Sequence, residues 1–161
     1  MSDITKAQTN ALAKQDEAAA LPRDQWLTHD ELIAALSILY PDAVHGRDFH
    51  VAHMVARYSP EQLSSAFLAH WDIDGVPEPS LSELMHAVAP HVDTAKAIVR
   101  ARKVRWERSA RLDASDRLLT RAVESEDAAK VAALKAYRQA LRDVPQQKGF
   151  PFDIEWPEAP A

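Results

Sequence analysis

Hydrophobic positions along this chain recur mostly at helical spacing, with one region in which they alternate instead. Leu32, Ile33, Leu36, Leu39 and Tyr40 form a single helical stripe behind Thr28-His29-Asp30-Glu31. That tetrapeptide is a capping box: the threonine hydroxyl accepts from a first-turn amide while Glu31 reaches back to the cap. Pro41 pushes Tyr40 out of the α region, so the pattern predicts a helix over 29–40. Phe49 and Val51 alternate with His50 and Ala52, which predicts a half-buried strand over 48–55.

The next stretch fits two periods. Ser59-Pro60-Glu61-Gln62 reads as a helix start, and Leu63, Phe67 and Trp71 follow at helical spacing. Phe67, Ala69, Trp71 and Ile73 also alternate as a strand does. Periodicity leaves both open. The reading adopted is a helical turn near 60–65 and a strand over 67–73 paired with 48–55, with an all-helical version as the alternative.

Asp74-Gly75-Val76-Pro77-Glu78-Pro79 predicts a turn, and Ser80-Leu81-Ser82-Glu83 is a second capping box. It opens a helix with Leu81, Leu84, Met85 and Val88 inward, broken or kinked at Pro90 and Asp93-Thr94. A long helix follows, with Ala95, Ile98, Val99, Arg102 and Trp106 on one side. Ser and Asp side chains compete for backbone hydrogen bonds, so Asp113–Asp116 is read as a joint. Helix resumes through Leu118, Leu119, Val123, Val131, Leu134, Tyr137, Ala140 and Leu141, and Pro145 ends it. The resulting fold class is α+β, mainly α. Residues 1–24 form a flexible arm, 25–92 a small helix, β-hairpin and helix domain, 93–145 a long helical region, and 146–161 an extended proline-rich tail.

Composition sharpens this picture. Only 3 glycines and abundant alanine favour helix. The absence of cysteine excludes disulfides and thiolate chemistry, and with no membrane-length apolar run or signal-peptide pattern it predicts a soluble, intracellular protein. Net charge is −5, yet residues 96–111 carry +6. Such a stripe can mark nucleic-acid binding, but the acidic balance elsewhere and the lack of an aromatic–glycine motif favour a solvated helix with Lys103, Glu107 and Arg111 paired at i,i+4.

No catalytic pattern stands out. His50 and His53 are three apart in a predicted strand and so face opposite ways, and His86 and His91 straddle Pro90. With no HExxH and no cysteine, the histidines read as scattered and no metal is expected. A GxSxG elbow and a glycine-rich phosphate loop are both missing, and Asp72 and Asp74 beside Gly75 are explained by a turn. The chain reads as a non-enzyme with no cofactor, small-molecule substrate or membrane association. Trp71 and Trp106 read as core residues on their stripes. Phe150, Phe152 and Trp156 lie in the extended tail, where they either anchor a partner or fold back onto the chain's own helices.

The C-terminal residues carry a resemblance. Tyr137-Arg138-Gln139-Ala140-Leu141-Arg142-Asp143 with Pro145, then Gly149-Phe150-Pro151-Phe152-Asp153-Ile154-Glu155-Trp156-Pro157, resembles the ending of phage tail assembly chaperones and tail-fibre assembly proteins. Arg111-Leu112-Asp113-Ala114-Ser115-Asp116 is similar to the preceding segment of that family, which often continues with tryptophan where this chain has Arg117. Upstream, Tyr40-Pro41-Asp42, Asp48-Phe49-His50-Val51, His70-Trp71-Asp72 and residues 75–80 resemble a small domain of phage tail-region proteins, with 57–65 longer than the usual hairpin connection. The resemblance implies a factor in the host cytoplasm that binds a tail-fibre or other tail protein and promotes its folding, trimerisation or assembly, and that can remain on the virion. It points to Tyr137, Arg138, Phe150, Phe152 and Trp156 as partner-binding residues. The rival functions are a structural virion tail component and a nucleic-acid-binding regulator using helix 96–111.

Overall fold

A computed structural model describes residues 12–160. The chain divides into two compact units after Lys96. Its elements are helix α1 over 12–20, α2 (His29–Leu39), strands β1 (Phe49–Ala52) and β2 (Phe67–Trp71), then α3 (Leu81–Val88), α4 (Val92–Glu124) and α5 (Ala128–Asp143). The α+β, mainly α class expected from the sequence is the class observed. No helix among the described residues is long and apolar enough to cross a membrane.

In the first unit the two capping boxes form as read. Thr28 Oγ1 accepts from the Glu31 amide at 3.3 Å, while Glu31 accepts from the Thr28 amide at 2.8 Å. Ser80 and Glu83 make the same reciprocal pair at the start of α3. Leu32, Leu36, Phe49, Leu84 and Val88 are buried together with Leu27 and Leu68 as the core of this unit. Trp71 packs edge-on against Tyr40, with centroids 5.3 Å apart, and its indole N–H donates to the Val76 carbonyl at 2.9 Å. That bond pins the Asp74–Pro79 turn, where Gly75 supplies a φ of +70°.

β1 and β2 pair antiparallel, with Phe49 opposite Trp71 and His50 opposite His70. Between His50 and Val51 the register slips, leaving Ala69 as the extra residue of a β-bulge. The bulge resolves the two-period ambiguity. It makes Phe67 and Leu68 both buried and Ala69 and His70 both exposed, so a real strand carries apolar residues four apart.

The helical turn expected near 60–65 does not form. Residues 54–63 extend the hairpin irregularly, with a bridge between Val55 and Gln62 and the Leu63 amide donating to the Met54 carbonyl at 2.8 Å. Ser64 and Ser65, both fully buried, supply what a helix would have supplied. Ser64 Oγ accepts from the Met54 amide at 2.9 Å and Ser65 Oγ from the Leu27 amide at 3.1 Å. Gln62 completes the stitch by donating to the Leu27 carbonyl at 2.8 Å. Buried backbone groups must be paired, and here side chains do it. Part of the expected arm joins the same network. Residues 12–20 are helical, Ala18 is fully buried, its carbonyl accepts from the Ser65 amide at 3.1 Å, and Lys14 is ion-paired with Glu78. The remainder of that arm, 1–11, lies outside the described residues.

The second unit is an α4–α5 hairpin with the tail. Two expectations for α4 are corrected. The helix is continuous through the joint proposed at Asp113–Asp116 and ends instead at Glu124. The reversal uses Glu126 at φ 55° and Asp127, whose side chain accepts from the Lys130 amide at 2.9 Å to cap α5. The stripe ending at Trp106 is also wrong, because Trp106 is 77% exposed and Ile98 39%. Ala95 and Val99 are buried on the expected side, but beyond them the buried positions are Ala101, Val104, Ser115 and Ala122, on nearly the opposite side of the helix. Trp106 follows Val99 by seven residues and therefore keeps to the abandoned side.

These packing differences predict contrasting mutants. Leu36→Ala or Leu134→Ala, each removing a fully buried side chain, is expected to cost about 2–5 kcal/mol. Trp106→Ala is expected to change stability by no more than about 0.5 kcal/mol. Urea titration of each variant checks both, and a Trp106→Ala loss of core size would show that α4 is buried on the other side.

Candidate partner-binding surface

The five candidate residues from the sequence lie in the second unit, and most are engaged within it. Tyr137 is 8% exposed in the hairpin core. Arg138 crosses from α5 to α4, donating to the Leu112 carbonyl at 3.0 Å and to Ser115 Oγ, and pairing with Asp116. Ser115 in turn donates to the Leu112 carbonyl at 2.6 Å. The serine and aspartate read as a helix joint are thus acceptors for one arginine, which accounts for α4 running unbroken through them.

The tail is folded more than its prolines suggested. α5 ends in a short 3₁₀ turn, Val144–Gln146, and turns continue to 153 before the chain runs without regular secondary structure over 154–160. Gln147 clamps the return: its side-chain carbonyl accepts from the Glu155 amide at 2.8 Å while its amide donates to the Glu155 carbonyl at 2.7 Å. Gly149 is required by crowding, since a Cβ there would lie 2.9 Å from the Asp153 carbonyl carbon.

Two cation–aromatic contacts fix the tail to α4. The Arg105 guanidinium sits 5.5 Å from the Phe150 centroid, and Arg111 sits 4.5 Å from that of Trp156. Arg111 also donates to Glu107 at 2.7 Å, and this bond raises its already high pKa. Of the expected i,i+4 pairs on the basic stripe, Glu107–Arg111 is present. Phe152, at 59% exposed, is the tail aromatic left facing solvent.

The histidines are not scattered. His29, His45, His50, His53 and His70 form a chain of ring contacts in the first unit, with centroids 5.4 Å apart for His29–His45 and His50–His70, 5.7 Å for His29–His53 and 6.0 Å for His45–His50. Cross-strand register makes the His50–His70 contact, and the turn before β1 brings in His45, whose ring nitrogen accepts from the Val51 amide at 3.4 Å. Sequence spacing carries no signal for either. Among the described residues no group of three or more histidine, aspartate or glutamate side chains is placed to hold a metal ion.

Burial, then the neighbouring His29 and His50, lowers the His45 pKa below 6.5, with Asp30 acting weakly the other way. A histidine that resists protonation when folded contributes stability that is full above the unfolded value and declines as pH falls below it. Acidification from about pH 7.5 to about pH 5.5 is therefore expected to lower the melting temperature of the chain, and His45→Asn to flatten that dependence. A dependence of equal slope in the variant would remove His45 from the effect. Asp48 acts in the same direction but in a more acid window. Arg47 and the Val44 amide bind its carboxylate and lower its pKa to about 2, so its contribution survives down to much lower pH.

Comparison with known proteins agrees with this division of the chain. Residues 32–96 match the XkdW protein family, and they run from within α2 to the start of α4. No curated protein and no solved structure matches the chain. Residues 101–161, which hold the Arg138 bridge, the Gln147 clamp and both cation–aromatic contacts, match the phage tail assembly chaperone protein family.

Proposed function

We propose that the protein is a phage tail or tail-fibre assembly chaperone, which binds a tail component in the host cytoplasm and promotes its folding, trimerisation or assembly without catalysis. The observation that carries this reading is the family match over 101–161, the segment in which tail and hairpin are locked together. Tail fibres are rich in strands whose edges are exposed before assembly, and a small partner covering such edges suppresses misassembly.

Among the five candidate residues, Phe152 is the one proposed to touch the client. Tyr137 and Arg138 hold α5 on α4, and Phe150 and Trp156 hold the tail on α4, so changing any of these alters the scaffold first. A large exposed aromatic on a clamped segment loses little conformational freedom on docking.

Co-expression with the tail proteins of the phage that encodes the chain tests this function. One of them is expected to be soluble and to co-purify when the chain is present and to be insoluble without it. Phe152→Ser is expected to cut that yield about tenfold or more with the melting temperature unchanged. Tail proteins that fold equally well without the chain would remove the chaperone reading, and recovery of the chain in stoichiometric amounts from purified virions would make it a structural component.

A further inference from the structure

The side of α4 that the fold abandons has a composition of its own. Trp106 is 77% exposed, the most exposed tryptophan of a chain that has 4. Arg102 and Lys103 precede it by four and three residues, so both lie one turn away on the same face, and both are exposed. Among the described residues neither is in an ion pair or a cation–aromatic contact. Three arginines of this unit are used internally, Arg105 on Phe150, Arg111 on Glu107 and Trp156, and Arg138 on Asp116, whereas Arg102 and Lys103 flank an exposed indole. The next turn after Trp106 presents only Ser109 and Ala110, both exposed, which leaves the indole unobstructed on that side.

An exposed indole beside two unneutralised cations is the composition of an interface centre, where tryptophan and arginine dominate binding energy. Charge complementarity defines the occupant. We propose that the α4 face carrying Arg102, Lys103 and Trp106 docks an acidic segment of a protein partner, which seats one apolar side chain against the indole and places carboxylates on the two cations. The identity of the natural partner rests on the chaperone reading. The face itself does not. A nucleic acid fits less well, because Asp113 lies two turns further along the same face and would repel a continuous line of phosphates, whereas a protein segment can place its few carboxylates on the cations alone.

The direct test uses a fluorescent synthetic peptide with aspartates and glutamates around a central Leu-Phe pair. Anisotropy is expected to show binding to the full chain that weakens about tenfold as NaCl rises from about 0.05 to about 0.3 M. Trp106→Ala and the double variant Arg102→Glu/Lys103→Glu are each expected to weaken it about tenfold, with circular dichroism and melting temperature unchanged. The same peptide with lysines in place of its acids is expected not to bind.

Absence of binding, or equal binding by parent and both variants, overturns the proposal. So does tighter binding of a single-stranded oligonucleotide that the same variants abolish, which would make the face a nucleic-acid site. Self-association of the parent, lost in Trp106→Ala on sedimentation, would assign the face to a second copy and overturn it as well. Scoring tail-protein co-expression on the same variants separates the two readings. Capture by parent and Trp106→Ala alike refutes this docking face for the client and leaves the chaperone function standing. Failure of the parent to capture any tail protein refutes the chaperone function, and the peptide result still decides the face.

Discussion

Arg138 is the interaction on which the second unit depends. An isolated hairpin of two alanine-rich helices has little apolar area with which to fix its register, because alanine seams slide. The guanidinium removes that freedom. It reaches a carbonyl, a hydroxyl and a carboxylate, all within residues 112–116, and its side chain is only 15% exposed. Charge-assisted donors of fixed geometry specify position more sharply than methyl contacts do. Once α5 is registered, Gln147 falls where it can clamp Glu155, and Phe150 and Trp156 fall on Arg105 and Arg111. One registered arginine therefore sets the course of the whole tail.

α4 sits under a second constraint. A helix of 33 residues buries one side at a time, and this one changes sides between Val99 and Ala101. A helical stripe drawn by period alone assumes a single partner surface along its length. That assumption holds from Ala95 to Val99 and fails beyond it. The failure is what leaves a tryptophan in solvent, and solvent exposure of so large an apolar group marks an interaction site more often than a scattered exposed leucine does.

Features written locally were legible in the sequence. Both capping boxes, the Pro41 and Pro90 breaks and the Phe49–Val51 strand follow from neighbouring residues and appear where expected. The resemblance over the YRQALRD and WP residues was legible too, and it located the family segment. What stayed hidden depends on residues far apart. Ser64 and Ser65 read as ordinary polar positions until Leu27 and Met54 are brought beside them. Ser115 and Asp116 read as helix breakers because their competing hydrogen-bond capacity was unassigned, and Arg138, 23 positions away from Ser115, absorbs it. The break at Ser125–Asp127 was available in principle, since Asp127 is a good N-cap, but nothing apolar interrupts the pattern there. The histidine chain is the extreme case, created by strand register and one turn.

The aromatics of the second unit divide by what lies beneath them. Phe150 and Trp156 each cover a guanidinium, so their faces are satisfied inside the fold and their removal would loosen the tail. Phe152 and Trp106 make no aromatic or cation–aromatic contact among the described residues and are exposed at 59% and 77%. Resemblance treats the tail aromatics as one class, because the family pattern records residue types and not their surroundings. Geometry separates them into a pair that builds the scaffold and a pair that the scaffold displays. A chaperone must hold its own shape while offering apolar surface to an unfinished client, and the same residue cannot serve both needs at once. Under the proposed chaperone function, distributing the two roles over different aromatics would let the displayed groups vary with the client while the cation–aromatic clasp, and hence the tail, stays fixed.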